Sequence, residues 1–142
     1  MLESIAAQMC VDDVAELAAQ GLMPLPVLLQ GWQSSREVYV ACWDGKPQAA
    51  FGVADYTQDN NYGVPWMLST GPRGSIAREF LATSRDYIEA WSPMYLAMFN
   101  LVDVRHIRAQ RWLLHLGFEP YTVHEIDGHS FIEFGRVPRV DR

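Results

Sequence analysis

A Gly-Pro-Arg-Gly loop, Gly71–Gly74, is the part of this 142-residue chain best suited to hold an anion. It joins a short apolar run, Val64–Ser69, to a helical pattern that begins at Ser75. Free amides at a helix N-terminus, the helix dipole and the Arg73 side chain all attract negative charge. The segment therefore predicts a site for a phosphate-bearing ligand, the alternative being a turn that uses Gly and Pro only for backbone geometry. It matches neither the P-loop nor the dinucleotide-binding fingerprint.

A second positively charged surface is expected on a helix that runs from about Val104 to Leu116. Its basic side chains spread over roughly a third of the helix circumference, at Arg105, Arg108, Arg111 and His115. Such a face can bind a phosphate or an acidic partner, or it can simply face solvent.

Other catalytic chemistries find little support in the sequence. His124, His129 and Glu133 come close across a hairpin, but no paired metal-ligand motif accompanies them, so no metal is expected. Cys42 lies in the middle of a strand and Cys10 has no evident base partner, which argues against a nucleophilic cysteine. The sequence contains no Gly-x-Ser-x-Gly elbow and no His-Glu-x-x-His signature.

The formal charge of −6 is unevenly distributed along the chain. Residues 1–72 carry two basic and eight acidic side chains, whereas residues 73–142 carry nine of each. An acidic protein lacks the basic surface that nonspecific nucleic-acid binding needs, so nucleic acid is not an expected partner. No secretion signal or bilayer-length apolar run is evident, which predicts a cytoplasmic protein with reduced thiols and no membrane association.

Two Asp-Gly pairs predict β-hairpins, because this dipeptide accepts the positive φ angles of a tight primed turn. Asp44-Gly45 joins Val38–Trp43 to Pro47–Val53, and Asp127-Gly128 joins Thr122–Ile126 to His129–Phe134. In the second hairpin we expect Val123 opposite Ile132 and Tyr121 opposite Phe134, with His124, Thr122 and Glu133 on the other face.

Helical spacing of apolar residues predicts a helix over Ser75–Trp91 with Ser75 as its N-cap. Met94–Asn100 has the composition of a buried strand. The helix that follows is expected to end at a left-handed Gly117 and to turn four residues inward, Ile107, Gln110, Leu113 and Leu114.

The start of the chain is less regular. Leu2–Ala7 fits a strand or a helical turn, and helices are expected from Asp12 or Asp13 through Gln20 and over Pro24–Trp32. The resulting order, β-α-α-β-β-β-α-β-α-β-β, indicates one mixed α/β (α+β) domain over residues 1–142, with a single sheet covered by helices.

This order resembles the GNAT superfamily of acyl-CoA-dependent N-acyltransferases over nearly the whole chain. Ile5–Asp12 looks like the first strand of that family running into a helix, Val38–Val53 like its second and third strands, and Val64–Trp91 like the strand, pyrophosphate loop and helix that hold coenzyme A. The C-terminal helix signature of the family is usually an Asn, an Ala, a Tyr and then Gly-Phe. The matching residues here are His106, Ala109, Leu113, Gly117 and Phe118.

The resemblance implies a mostly antiparallel sheet with helices on both faces and splayed central strands. It also implies a binding site for acetyl-CoA or another acyl-CoA. Main-chain groups of Met67, Leu68 and Ser69 would contact the pantetheine, Arg73, Gly74 and Ser75 would hold the pyrophosphate, and His106 would stand at the Asn position. No catalytic residue is assigned, and Asp55, Tyr121 and His106 are the candidate proton relays.

A narrower resemblance is to small GNAT-like proteins of tailed bacteriophages, some of which are internal virion proteins. It rests on Pro65-Trp66 in the central strand and on Asn100, seventeen residues before Gly117. It implies a phage-encoded N-acetyltransferase that acts on an unidentified amine in the host cytoplasm. The acidic residues Asp12, Asp13 and Glu16 would favour a cationic amine. The alternative is an inactive GNAT-fold protein that contacts other virion proteins or the host.

Overall fold

The computed structural model describes residues 1–138, which form five α-helices and one six-stranded sheet. The helices are α1 (Leu2–Ala7), α2 (Val11–Ala19), α3 (Pro24–Ser34), α4 (Gly74–Trp91) and α5 (Ile107–His115). The strands are β1 (Ser35–Trp43), β2 (Lys46–Asp55), β3 (Tyr62–Ser69), β4 (Ala97–Asp103), β5 (Glu119–Ile126) and β6 (His129–Arg136). Within residues 1–138, no helix combines the length and apolarity needed to cross a membrane.

The sheet has the order β1-β2-β3-β4-β6-β5, and every neighbouring pair is antiparallel except β3 and β4. Both predicted hairpins are confirmed, with Asp44 at φ 52° and Asp127 at φ 49°, each followed by a glycine at positive φ. The pairing of Val123 with Ile132 is also confirmed. The expected pairing of Tyr121 is wrong, because a bulge at this residue leaves Pro120 opposite Phe134.

Helices cover the sheet on both faces. Phe80, Ile88 and Leu113 of α4 and α5 pack with Phe51 and Met98 in one buried cluster. On the opposite face, the buried residues of α1, α2 and α3 pack against β2 and β3 in a second cluster that contains Ile5, Leu17, Leu28 and Ala50. The predicted mixed α/β fold, mostly antiparallel with helices on both faces, is therefore confirmed.

The first segment is a helix, so the helical alternative for Leu2–Ala7 is confirmed and the resemblance of Ile5–Asp12 to a strand running into a helix is wrong for the strand. Ile5 is fully buried against the sheet from a helical turn, and the sheet begins only at Ser35. Six residues are too few for periodicity to separate a strand from a helix, and packing decides the outcome.

Three further predictions need correction. The helix α4 begins at Gly74, and Arg73 rather than Ser75 is its N-cap residue. The strand β4 lies three residues later than expected, because Ser92–Met94 forms a 3₁₀ turn. On α5, Leu113 is buried as predicted, but Ile107 and Leu114 are about half exposed. The predicted left-handed glycine that follows α5 is confirmed, with Gly117 at φ 88°.

Candidate functional site

The central strands β3 and β4 separate after only two paired positions. Tyr62 pairs with Ala97 and Gly63 with Met98, and beyond them no β3–β4 register continues. Pro65 has no N–H to offer a neighbouring strand, and its carbonyl accepts a hydrogen bond from the Asn100 side-chain amide. The expected splaying of the central strands is therefore confirmed, and a proline and an asparagine mark where it starts.

Helix α2 bridges the open end of this fork. On the β3 arm, the main-chain N–H of Cys10 donates to the Ser69 carbonyl over 2.9 Å. The Ser69 N–H in turn donates to Asp13 Oδ2 over 2.9 Å. On the β4 arm, the Asp103 N–H donates to Glu16 Oε2 over 3.0 Å. These contacts supply partners for amides that a continuous sheet would have paired.

His106 lies between the two arms and is buried. Its Nδ1 accepts a hydrogen bond from the Ala109 N–H over 3.3 Å, which caps α5. The ring proton therefore sits on Nε2, which lies 2.7 Å from Asp13 Oδ1 and donates to it. Because both ring nitrogens have protein partners, His106 fixes α5 to α2 in this structure.

Two groups at the open end of the fork have raised pKa values, Glu16 and His106. For Glu16, burial raises the pKa above its ordinary value, although the Asp103 N–H opposes the shift. For His106, burial acts to lower the pKa, but the hydrogen bond to Asp13 and the negative charges of Asp13 and Glu16 outweigh it. The pKa of His106 is therefore raised as well.

A cavity of about 390 Å³ lies between the fork and the helices α4 and α5. Met67, Ser69 and Val102 line it from the strands, and Phe80 and Leu113 line it from the helices. Cys10, Asp13 and Glu16 form its wall on the α2 side. A volume of this size is typical of small-molecule sites. We refer to it as the cleft.

The mouth of the cleft lies beside the Gly71–Gly74 loop. Gly71 and Gly74 have φ angles of 80° and 64°, which glycine adopts without strain. No side chain caps the first turn of α4, and nothing lies within 4 Å of the position a Cβ on Gly74 would take. Arg108 of α5 donates a hydrogen bond to the Pro72 carbonyl and covers the other side of the loop.

The three residues predicted to contact pantetheine differ in orientation, because successive residues of strand β3 alternate between its two sides. Leu68 pairs with Ala50 of β2, and its side chain packs in the opposite core. The Ser69 main chain already binds Asp13 and Cys10. Met67 has the same orientation as Ser69, so its N–H and carbonyl point toward the fork. Of the three, Met67 has the main-chain groups that the fork leaves available.

The predicted pyrophosphate residues lie at the edge of the cleft. Pro72 and Ala77 line it, whereas Arg73, Gly74 and Ser75 between them are exposed on the outer surface of the α4 N-terminus. Of the basic face predicted on α5, Arg108, Arg111 and His115 line the cleft. Arg105 instead contacts Asp103 through a two-point ion pair.

A smaller cavity of about 180 Å³ lies on the α2 side of the fork. Its lining contains Asp12, Glu16, Asp103 and Arg105. Glu16 and His106 line both this cavity and the cleft, so these two side chains form the wall between them. The contact of Glu16 with the central strands was not predicted, because the nine residues of α2 do not indicate which main-chain group its carboxylate meets.

Asp55 and Tyr121 lie outside the cleft lining, and a proton-relay role for them stays a prediction. Arg36 donates to both Asp55 oxygens over 2.9 and 2.8 Å, and the Tyr95 hydroxyl donates to the same carboxylate over 2.7 Å. This cluster is at the closed end of the fork. Tyr121 is mostly exposed on the edge strand β5.

Of the side chains considered for a metal, His124 and Glu133 contact each other. His124 Nε2 lies 3.0 Å from Glu133 Oε1, an ion-pair or hydrogen-bond contact on the surface. Over residues 1–138, no three His, Cys, Asp or Glu side chains are grouped as metal ligands.

Solved structures of known proteins identify the fold. Neither a family model nor a curated protein sequence matches the chain. Among solved structures, a "putative phosphinothricin N-acetyltransferase" superposes with a TM-score of 0.67 at 14% identity, covering 98% of this chain and 93% of that one. A GNAT-family acetyltransferase from Streptococcus pneumoniae superposes with a TM-score of 0.59 at 13% identity over 82% of this chain and 75% of that one.

The aminoglycoside acetyltransferase AAC(6')-Ib, solved with ribostamycin and coenzyme A, is a third similar structure. Its TM-score is 0.59 at 13% identity, over 75% of this chain. The match spans 66% of the length of AAC(6')-Ib, just under two thirds. At these identities the likeness concerns architecture, and the chain has the GNAT fold.

Proposed function

We propose that the protein is a GNAT-like N-acyltransferase that transfers an acyl group from acetyl-CoA or another acyl-CoA to an amine. The observation that carries this proposal is the cleft between the unpaired strands, with the free main-chain groups of Met67 on one wall and the uncapped amides of α4 at its mouth. Pantetheine is an extended chain with amide groups, so Met67 can bind it as a neighbouring strand would. Gly74 and Ser75, with Arg73, suit a pyrophosphate.

In the proposed reaction, the amine nitrogen bonds to the thioester carbonyl carbon while the carbon–sulfur bond breaks. The amine loses one proton, and the departing thiolate takes one up. Glu16 lies on the cleft wall, and its raised pKa suits it to accept the amine proton. Alignment of the two reactants supplies much of the acceleration in such transfers.

Titration calorimetry with acetyl-CoA and with free CoA tests the binding half of this proposal. Arg73→Ala is expected to weaken binding about tenfold, because a charge-assisted contact to phosphate is lost. Arg78→Ala on the same helix is the matched control and should bind as the wild type does. Absence of binding at millimolar ligand would contradict the proposed function.

A second candidate is a GNAT-fold protein of a phage particle that has lost catalysis and contacts virion or host proteins. It is favoured by Leu113, which lines the cleft at the position where the family resemblance expects a tyrosine and cannot donate a proton. Trp66 in the central strand and the seventeen-residue spacing from Asn100 to Gly117 favour a phage origin, with residence in the host cytoplasm or the virion. Turnover of acetyl-CoA with an amine, together with absence from purified particles, would rule this candidate out.

A further inference from the structure

The apex of the cleft is the point between Pro65 and Asn100 at which β3 and β4 diverge. The strand residues that line the cleft from this point are Pro65, Met67, Asn100, Leu101 and Val102. Of these five, Asn100 is the one whose side chain carries a hydrogen-bond donor. A polar group of a ligand that reaches the apex therefore meets the Asn100 amide.

Two hydrogen bonds fix the orientation of this amide. Asn100 Oδ1 accepts from the Leu101 N–H over 2.7 Å, and Asn100 Nδ2 donates to the Pro65 carbonyl. Exchanging the amide oxygen and nitrogen would set donor against donor and acceptor against acceptor, so a single orientation suits both partners. The amide nitrogen carries two hydrogens, and within residues 1–138 the second has no protein acceptor. A fixed donor is therefore available at the apex.

The length of the cleft brings a thioester to this donor. The pantetheine chain joins the pyrophosphate of CoA to its sulfur through about twelve covalent bonds, as many as four residues of polypeptide contain, and spans about 13 Å when extended. In β3, four residues lead from Ser69 at the mouth to Pro65 at the apex, which is also about 13 Å. A pantetheine that starts at Gly74 and passes Met67 therefore places its sulfur, and the acyl carbonyl bonded to it, beside Asn100.

We propose that Asn100 is a catalytic residue, and that the second N–H of its side-chain amide donates a hydrogen bond to the thioester carbonyl oxygen. This inference rests on the proposed function. As the amine nitrogen bonds to the carbonyl carbon, one electron pair of the C=O bond moves onto the oxygen. That pair returns when the carbon–sulfur bond breaks and the sulfur leaves as a thiolate. The oxygen is most negative between these two events, and a donor already fixed in place stabilises that charge without reorganisation.

Titration calorimetry tests the inference with acetyl-CoA and its thioether S-ethyl-CoA, in which a methylene replaces the carbonyl. Asn100→Asp should weaken the binding of acetyl-CoA about fivefold and leave that of S-ethyl-CoA unchanged, because S-ethyl-CoA has no acceptor at this position. Aspartate has the shape of asparagine, but its carboxyl carries at most one hydrogen and cannot donate to Pro65 and to a ligand together. Asn60→Asp, an exposed position outside the cleft lining, is the matched control and should bind both ligands as the wild type does.

Nuclear magnetic resonance on the isotope-labelled wild-type protein reports the contact directly. The Asn100 side chain gives two amide proton signals, one for the hydrogen that Pro65 accepts and one for the second hydrogen. Saturating acetyl-CoA should move the second signal downfield, because a proton donated to an oxygen is deshielded, whereas S-ethyl-CoA should not. This measurement needs no substitution, so it stands even if Asn100→Asp fails to fold.

The outcomes separate this inference from the function on which it rests. If Asn100→Asp weakened acetyl-CoA and S-ethyl-CoA equally, Asn100 would only bridge the two strands, and the inference would be overturned. An Asn100 signal that responded alike to both ligands would overturn it as well. Either result leaves the acyltransferase proposal standing, whereas a failure of acetyl-CoA, S-ethyl-CoA and free CoA to bind would contradict the proposed function itself.

Discussion

The closed and the open end of the β3–β4 fork are fastened by different kinds of contact. At the closed end, the Arg36–Asp55 ion pair and the Tyr95 hydroxyl form a cluster close to solvent. At the open end, Asp13 and Glu16 of α2 accept hydrogen bonds from the main-chain amides of the separated strands. Exposed ion pairs contribute little to stability, whereas a buried amide without a partner is costly.

This difference explains how the sheet tolerates a cleft at its centre. Where two central strands separate, their main-chain N–H and C=O groups lose the hydrogen-bond partners that a continuous sheet would supply. Ser69 and Asp103 would each lose such a partner. The carboxylates of α2 restore those partners from outside the sheet. We therefore expect the stability of the fork to depend on the open end far more than on the closed end.

The largest effect is expected for Asp13→Ala. The substitution leaves the His106 Nε2–H and the Ser69 N–H buried without an acceptor, and the predicted loss in free energy of unfolding is about 3–5 kcal/mol. Urea unfolding measures it. Asp12→Ala, at the exposed neighbouring position, is the control, with an expected change within about 0.5 kcal/mol. Equal losses for the two variants would show that the buried carboxylate does not fasten the open end.

Gly71→Ala tests the packing of the loop against α2. An added Cβ would lie 2.9 Å from Cys10 Cβ and 3.4 Å from Arg108 Nη1. Gly45→Ala has a similar φ of 72° but meets nothing within 4 Å, so it is matched for backbone strain. Gly71→Ala should lose about 1–3 kcal/mol more than Gly45→Ala. If both lose the same amount, the loop is not held against α2.

Glu16 and His106 at the open end should respond to pH in the direction opposite to Asp55 at the closed end. Glu16 and His106 have pKa values raised above the ordinary 4.5 and 6.5. Their contribution is complete below those ordinary values and is lost as pH rises through the raised ones. At the closed end, Arg36 lowers the pKa of Asp55 below 3.8, so its contribution is lost only as pH falls. Asp103 at the open end, whose pKa Arg105 lowers, behaves like Asp55.

Glu16→Gln isolates the carboxyl part of this dependence. Glutamine keeps an oxygen that can accept the Asp103 N–H but does not titrate. As pH rises above 4.5, the stability of the variant should decline less than that of the wild type, as thermal unfolding at several pH values would show. If the stability of the wild type and of Glu16→Gln declined equally with pH, the contribution of Glu16 to this pH dependence would be contradicted.

The smallest effect is expected for Arg36→Ala. Its two hydrogen bonds to Asp55 are partly exposed, so the loss in free energy of unfolding should be the smallest of the series and should shrink further at high salt. Urea unfolding at low and high ionic strength checks both statements. A loss comparable to that of Asp13→Ala would remove the contrast between the two ends.

Local signals predicted much of the fold. Asp44-Gly45 and Asp127-Gly128 specify turns through their own backbone preferences, and Gly117 does the same for the end of α5. The helix α4 was predicted to within one residue because eighteen residues contain five turns of periodicity. The Gly71–Gly74 loop between β3 and α4 was also predicted, because its glycines set its geometry.

Features that depend on distant partners could not be predicted. The orientation of α5 about its own axis depends on the contact between His106 and Asp13, which are 93 residues apart in sequence. The position of Asp55 could not be predicted, because Arg36 and Tyr95, 19 and 40 residues away in sequence, hold that carboxylate at the other end of the fork. The role of Glu16 depends on the separation of two strands, which no spacing within α2 encodes.

The point at which the cleft begins is set by the side-chain amide of Asn100 rather than by the pairing register of β3 and β4. Asn100 substitutes for a backbone partner at Pro65, and Pro65 itself lacks the N–H with which pairing could have continued. Strand registers shift only by moving every side chain of a strand to the opposite face, whereas a side-chain bridge can be moved along a strand by point substitution. Descendants of this sequence could therefore lengthen or shorten their cleft, and so change the size of the ligand it admits, without altering the order or pairing of any strand.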